Sequence, residues 1–440
     1  MKSKLETRTH FLAMAAVVAL VGTLVFLWLK PLPDEPEVAV APTTPASLFI
    51  NTDASIAFYE DRIRKAPDDR EAYTRLAQVY LQKAHASGEE LTYVPLAKER
   101  IEQALSRDPD DYYALALQAS LFNTLHRFDD ARVAAERLQA AYPHDSFIQG
   151  VLVDALVELG EYDEAVAAND ALLGMHPGLA AYARASYLRE LHGDTDGALS
   201  AMTMAAQAGV VGEADRAWAL THLANLYLGK GDLEVARRVF EGILEETPGY
   251  AQAIAGLGHI AELEGDYAGA VAGLEEAYGL EPRAAFLERL AEIQSVQGAS
   301  AAAEAYLDRV DASFQEAARM GENNRMEYAD FLADRGLRLD HALRLAEAEI
   351  ARRPGHLHAN ETYAWVLHRL GRSAEAVAPI EKAMRLDTGD AMVHYRAGQI
   401  YRAIGDAAAS QLHFQKALDA HLHIESQTAA NTARTLLAQP

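Results

Sequence analysis

A short phrase returns along this chain at nearly constant spacing, and it restricts the fold more than any other feature. Residues 160–165 read Gly-Glu-Tyr-Asp-Glu-Ala, and residues 231–236 read Gly-Asp-Leu-Glu-Val-Ala. Residues 265–270 read Gly-Asp-Tyr-Ala-Gly-Ala, and residues 405–410 read Gly-Asp-Ala-Ala-Ala-Ser. Pro177, Pro248 and Pro282 follow the first three, each 12 residues after the phrase ends. Self-similarity at a period of 20–50 residues marks a stack of like units. Such a stack offers a long surface for partners and no obvious place for chemistry.

The unit is a pair of helices. Gly160, Gly193, Gly231, Gly265, Gly298, Gly336, Gly371 and Gly405 are spaced by 33, 38, 34, 33, 38, 35 and 34 residues. Within a unit the first helix carries an apolar stripe at helical spacing, such as Tyr73, Leu76, Ala77 and Tyr80, or Leu220, Leu223, Ala224 and Tyr227. Glycine ends that first helix, because positive φ carries little penalty there. An acid often follows and can cap the second helix. Small residues sit where two helices must approach closely. They are Ala77, Ala119, Ala224, Gly258, Ala291, Ala364 and Gly398 on first helices. On second helices they are Ala131, Ala165, Ala236, Ala270, Ala342, Ala376 and Ser410. The two 38-residue steps predict elongated second helices with longer turns near 198–208 and 303–320.

These residues resemble the tetratricopeptide repeat family, a helix-turn-helix unit of 34 residues. The likeness is close at 146–179, 217–250, 251–283 and 391–424. It is looser at 112–145, 180–210, 284–320, 326–356 and 357–390. Residues 70–111 fit with an eight-residue insertion around 87–93, and 53–69 read as a lone second helix. The resemblance implies an all-α, right-handed α-solenoid of about nine tandem repeats over residues 53–424, with a capping helix at 425–440. It also implies a scaffold that binds a protein or peptide on a concave face lined by first helices.

Residues 11–29 form an uncharged run of 19, long enough as a helix to span roughly 28 Å. They predict a transmembrane anchor after a cytoplasmic N-terminus (1–10), followed by a Pro-rich linker (30–52). The run exceeds an ordinary signal peptide's apolar core, and no small-x-small site lies close behind it. Residues 1–30 carry four basic residues and one acid. The rest carries 36 basic and 63 acidic residues, a formal −27. Positive charge stays inside, so the array is expected on the far side of a bacterial cytoplasmic membrane, in the periplasm. So acidic a surface repels phosphate backbones, and no nucleic-acid partner is expected. The sequence leaves the oligomeric state open.

Little points to chemistry. No cysteine is present, so thiol catalysis and thiolate metal sites are excluded. Residues 256–261, Gly-Leu-Gly-His-Ile-Ala, imitate a dinucleotide fingerprint but fall inside a first helix rather than after a strand. No catalytic residue, cofactor or metal site is expected. Half of the 16 histidines follow residue 340, including the pairs His356/His358 and His421/His423. They support an alternative role in metal or cofactor maturation of exported proteins. The favoured reading is a membrane-anchored scaffold in an envelope assembly or export complex. The resemblance turns Trp218, Thr221, Asn225 and Leu228 inward in one unit. Further along it turns inward His358, Glu361, Trp365 and His368, then Met392, Tyr395, Gln399 and Arg402. Aromatic and arginine side chains commonly carry binding energy. The candidate partner-binding residues are therefore Trp218, Asn225, Trp365, His368, Tyr395, Gln399 and Arg402. The early positions Thr74, Gln78, Ala116 and Ser120 lack the basic clamp with which some relatives grip a C-terminal carboxylate.

Overall fold

The computed structural model describes residues 52–438, apart from residue 88 and residues 320–322. The expected anchor at 11–29 and nearly all of the Pro-rich linker lie outside the described residues. No described helix is long and apolar enough to cross a membrane.

The described residues form 23 helices and no strand. A lone α1 (Thr52–Lys65) precedes ten antiparallel pairs, which we number as units 1 to 10. Units 1 to 5 are α2 (Arg70–Ser87) with α3 (Glu90–Arg107), α4 (Tyr112–Thr124) with α5 (Phe128–Ala141), α6 (Ser146–Leu159) with α7 (Tyr162–Met175), α8 (Leu179–Leu191) with α9 (Thr195–Ala208), and α10 (Ala214–Gly229) with α11 (Leu233–Glu246). Units 6 to 10 are α12 (Ala251–Leu263) with α13 (Tyr267–Leu280), α14 (Ala284–Val296) with α15 (Ser300–Arg319), α16 (Arg325–Arg335) with α17 (Leu339–Arg352), α18 (Leu357–Arg369) with α19 (Ser373–Ala383), and α20 (Ala391–Ala403) with α21 (Ala407–Asp419). A short α22 (Leu422–Glu425) and α23 (Gln427–Leu437) close the array.

The count is ten pairs rather than nine. The insertion in the first unit does not break it, because α2 and α3 absorb the extra residues by growing to 18 residues each. Of the two second helices expected to be long, only α15 is, at 20 residues. The other, α9, has the ordinary 14, and the surplus lies in the turn 209–213, which exposes Val210 and Val211.

All eight glycines that punctuate the repeat take positive φ, between 65° and 86°. Asp194, Asp266 and Asp406, each one residue later, accept a hydrogen bond from a backbone N–H in the first turn of the second helix. The small residues lie at the helix crossings. Ala77, Ala119, Ala131, Ala165, Ala224, Ala236, Ala270, Ala342, Ala364 and Ala376 are fully buried. At Gly398 a Cβ would overlap the Phe414 ring, and Ser410 Oγ donates to the Gly398 carbonyl at 2.9 Å. Gly256 and Gly258 of the dinucleotide-like phrase have the same role. A Cβ at the first would overlap the Phe240 ring, and one at the second would meet the Ala270 carbonyl at 3.2 Å.

The array coils until its later units touch its earlier ones. The turn at Gly160 in unit 3 abuts Gly355, between units 8 and 9. The turn at Gly193 in unit 4 abuts Asp387, between units 9 and 10. The turn at Gly231 in unit 5 abuts His421, just after unit 10. One turn of the coil thus rests on the next, advancing a unit at a time. Polar contacts accompany the apposition. Arg352 Nη2 donates to the His126 carbonyl (2.8 Å), the Leu357 N–H donates to the Tyr162 hydroxyl (3.1 Å), and Arg385 Nη2 donates to the Gly160 carbonyl (3.0 Å).

Gly160 and Gly265 separate this contact from local turn chemistry. Both take positive φ, so alanine at either position costs about 1 kcal/mol in backbone strain. A Cβ at Gly160 would also overlap the Gly355–His356 backbone, whereas one at Gly265 meets nothing within 4 Å. Gly160→Ala should therefore destabilise by about 1–3 kcal/mol more than Gly265→Ala in urea titrations. Equal losses would show that the two turns do not touch.

Candidate partner-binding groove

The first helices of units 3, 4 and 5 (α6, α8 and α10) line a groove of about 640 Å3. Its wall is largely apolar: Val153 and Val157 from α6, Leu179 and Ala183 from α8, and Trp218 and Leu226 from α10. Asp145 starts α6 by accepting from the Phe147 and Ile148 N–H groups (2.9 and 3.0 Å), and Gly160 ends it. Within the groove Arg184 grips Asp154 through two parallel bonds, both 2.7 Å, joining α8 to α6. This fork is the strong geometry for a carboxylate pair. Gly150 leaves room for the guanidinium, which a Cβ there would approach to 3.2 Å.

Trp218 and His222 stand one turn apart on α10, with ring centroids 4.2 Å apart and planes tilted by 54°. Burial lowers the His222 pKa, so the ring is neutral near pH 7. Asn225, one turn further on, is exposed. Tyr187 keeps 37% of its surface accessible, and burial pushes its phenol above the ordinary range. Glu190 and Asp215 also line the groove, and neither makes an ion pair with a described residue.

Asp154, Glu158 and Tyr187 border a second space of about 440 Å3, closed on its far side by Arg353, His356 and His358. Arg353 is 3% exposed and reaches both Glu158 (2.8 Å) and Glu349 (3.0 Å). Burial raises Glu158 against the pull of Arg353. His356 caps α18 by accepting from the Ala359 N–H, and its other nitrogen faces Glu158 at 3.6 Å. Burial and the Arg353 charge hold its pKa well below the usual value. His358 is the opposite case. Burial works against its charge, but the Glu361 hydrogen bond and the carboxylates of Glu361, Asp390 and Glu158 prevail and raise it to about 9. Among the described residues no group of three or more His, Asp or Glu is placed to hold a metal ion.

The structure separates the sequence candidates. Trp218 and Asn225 share the groove above, whereas Thr221 and Leu228 are buried in the packing. Trp365 is only 6% exposed. Its indole N–H donates to Asp334 (2.6 Å), the Arg396 guanidinium lies 5.3 Å from its ring centroid, and His368 stacks on it at 5.0 Å. His368 also pairs with Ser373 (3.0 Å). Gln399 donates to the Tyr395 hydroxyl (2.9 Å), Tyr395 packs on Phe414, and Arg402 is exposed. The centre of this second region is Arg396, which sequence reading missed. It is 5% exposed and binds Asp330 (2.7 and 2.9 Å) and Glu361 (3.0 Å), tying α16, α18 and α20 together. Tyr187, His222 and the Arg184–Asp154 fork were missed as well. The 218, 222, 225 spacing on α10 was a helical signal for His222, and the others carried no comparable one.

Residues 94–146, 151–209 and 221–285 match the tetratricopeptide repeat family model. The chain carries tetratricopeptide repeats. No curated protein matches it. Among solved structures it is similar to yeast Tom70, at 15% identity over 90% of this chain and 94% of that one, with a TM-score of 0.35. It is similar to Pseudomonas aeruginosa PilF, at 16% identity over 51% and 96%, with a TM-score of 0.38. It is also similar to the human IFIT1 dimer with m7Gppp-AAAA, at 15% identity over 76% and 77%, with a TM-score of 0.48. These likenesses concern the repeat fold alone.

The raised His358 pKa makes a signed prediction. The protonated ring contributes stability in full below its ordinary value of 6.5, and that contribution fades as pH rises through about 9. His358→Ala should therefore lower the unfolding free energy clearly near pH 6 and little near pH 10, measured by urea titration. A loss of the same size at both values would contradict the pairing with Glu361 and Asp390.

Proposed function

We propose that this tetratricopeptide protein is a membrane-anchored scaffold whose groove at α6, α8 and α10 binds a protein or peptide partner. The observation that carries this is the groove itself. It is mostly apolar, has exposed Tyr187 and Asn225 and half-buried Trp218, and holds two carboxylates, Glu190 and Asp215, that make no ion pair with a described residue. Its one lining arginine, Arg184, is already committed to Asp154. The complementary ligand is an apolar segment carrying Lys or Arg. The first helices are held by their own packing, so little ordering cost falls on the scaffold.

The charge step across residues 11–29 supports an anchor with the array on the extracytoplasmic side, in an envelope assembly or export complex. A reporter active only outside the cytoplasm, fused after Pro440, reads that topology. Activity supports it, and activity confined to a cytoplasmic reporter reverses it. The acidic surface favours protein over nucleic acid as the partner.

The binding claim is tested by panning a displayed peptide library on the purified chain. Enriched peptides should pair Leu, Ile or Phe with Lys or Arg. Trp218→Ala should then weaken the best peptide about thirtyfold. Asp215→Asn and Glu190→Gln should each weaken it less and reduce its salt dependence. Circular dichroism melts must match the wild type. Enrichment of acidic peptides would refute the charge argument. Loss of binding on Arg402→Ala but not on Trp218→Ala would move the site to the C-terminal units.

A further inference from the structure

The array fills part of its own inner face. Residues 421–428 leave unit 10 and cross onto the first helices of units 5, 6 and 7. The Ile424 side chain is 5% exposed and joins a cluster with Ala217, Ala224, Leu228, Ala253 and Ile260. The backbone around it is held by side chains. His259 Nε2 lies 2.9 Å from the Ile424 carbonyl, and Arg289 Nη1 donates to the Glu425 carbonyl at 3.1 Å. Glu292 Oε1 accepts from the Ser426 hydroxyl and from the Thr428 N–H, both at 3.0 Å.

The register of these side chains is informative. His259 lies 34 residues after Asn225, and Glu292 lies 33 after His259. All three stand at one position of the repeat, the position that in unit 5 faces the groove described above. The contacts made by His259, Arg289 and Glu292 are to two carbonyls, one amide N–H and one hydroxyl. These are the free carbonyls at the end of α22, the free N–H in the first turn of α23 and the hydroxyl of Ser426 at the bend between them. Main-chain bonds supply grip, and one apolar pocket supplies selection.

We propose that the groove of α10, α12 and α14 is a second peptide-binding site, filled in cis by residues 421–428 and open to an equivalent segment in trans. The class of ligand follows from the contacts. It is a short helical turn with a branched aliphatic residue at the Ile424 position, followed two residues later by a Ser or Thr at which the chain bends into a second helix. The tail also leaves a buried acceptor unused. Glu262, 1% exposed and 3.7 Å from Arg289, has no hydrogen bond from a described residue at either carboxylate oxygen. A ligand that donates there would make a bond the tail does not. This site does not depend on the reading of the α6, α8 and α10 groove.

The test uses the full chain and a fluorescent synthetic peptide of residues 420–440. Wild-type protein should bind the peptide weakly, because the tail competes at high local concentration. Ile424→Asp should loosen only the crossing segment, since α23 keeps its own contact through Ala429, Ala430 and Ala433. That variant should bind the peptide at least tenfold more tightly, and adding Arg289→Ala should remove the gain. If Ile424→Asp lowers the helical melt, Thr428→Pro serves instead. It deletes only the N–H given to Glu292, at a helix start where proline is tolerated. Equal binding to wild type and folded variant, or a gain that survives Arg289→Ala, would overturn the proposal.

Discussion

The apposition of the Gly160 turn and the Arg353–Leu357 loop sets what the rest of the structure can do. Two backbones meet there without a Cβ on either side, since Gly160 faces Gly355. The contact brings Arg353 into the interior, where it is bonded by Glu158 from one turn of the coil and Glu349 from its own. Such a buried cation is tolerable only with both partners in place. An ordinary repeat array is held by nearest-neighbour interfaces alone. Here residues 195 positions apart in sequence share hydrogen bonds, so the two halves of the array stabilise each other.

That apposition decides which inward surface remains for partners. The inner positions of units 8 to 10 are largely used by the protein itself. Arg396 draws Asp330 and Glu361 together, and Trp365 is enclosed between Asp334, Arg396 and His368. The inner positions of units 6 and 7 hold the crossing tail. Units 3 to 5 keep an open cavity with Trp218, Asn225 and two acids that make no ion pair with a described residue. An aromatic side chain helps binding when it is both anchored and reachable, and Trp218 meets that condition better than Trp365.

Much of the fold was legible in the sequence because it is local and periodic. Gly231 ends a helix, Asp266 caps the next, and Ala236 or Ala270 permits a close crossing, each for a reason contained within one unit. The pattern misjudged α9 because a surplus of residues reads alike whether it lengthens a helix or a turn. It stopped at nine units because the insertion takes 70–111 out of the regular period, although α2 and α3 form a complete pair. The site was legible only in part. The repeat register placed Trp218 and Asn225 on the inner face, and they do line one groove. It gave no sign that Trp365 would be enclosed, because Arg396 arrives from the next unit and Asp334 from the preceding one. Nor could it reveal the contact of Gly160 with Gly355. A 34-residue period fixes each unit against its neighbour, whereas meeting five units later depends on small twists summed along the coil.

The central claim is that the coil closes on itself in solution. The chain has no cysteine, so two can be introduced for spin labels without background. Glu164 on α7 and Lys382 on α19 are both exposed, and each lies two or three residues from a side chain that meets the other across the apposition, Tyr162 and Arg385. Pulsed dipolar spectroscopy on this pair should give one short, narrow distance distribution, which broadens and lengthens when Arg353→Ala removes the shared cation. A long, broad distribution in the otherwise native protein would contradict the closed coil.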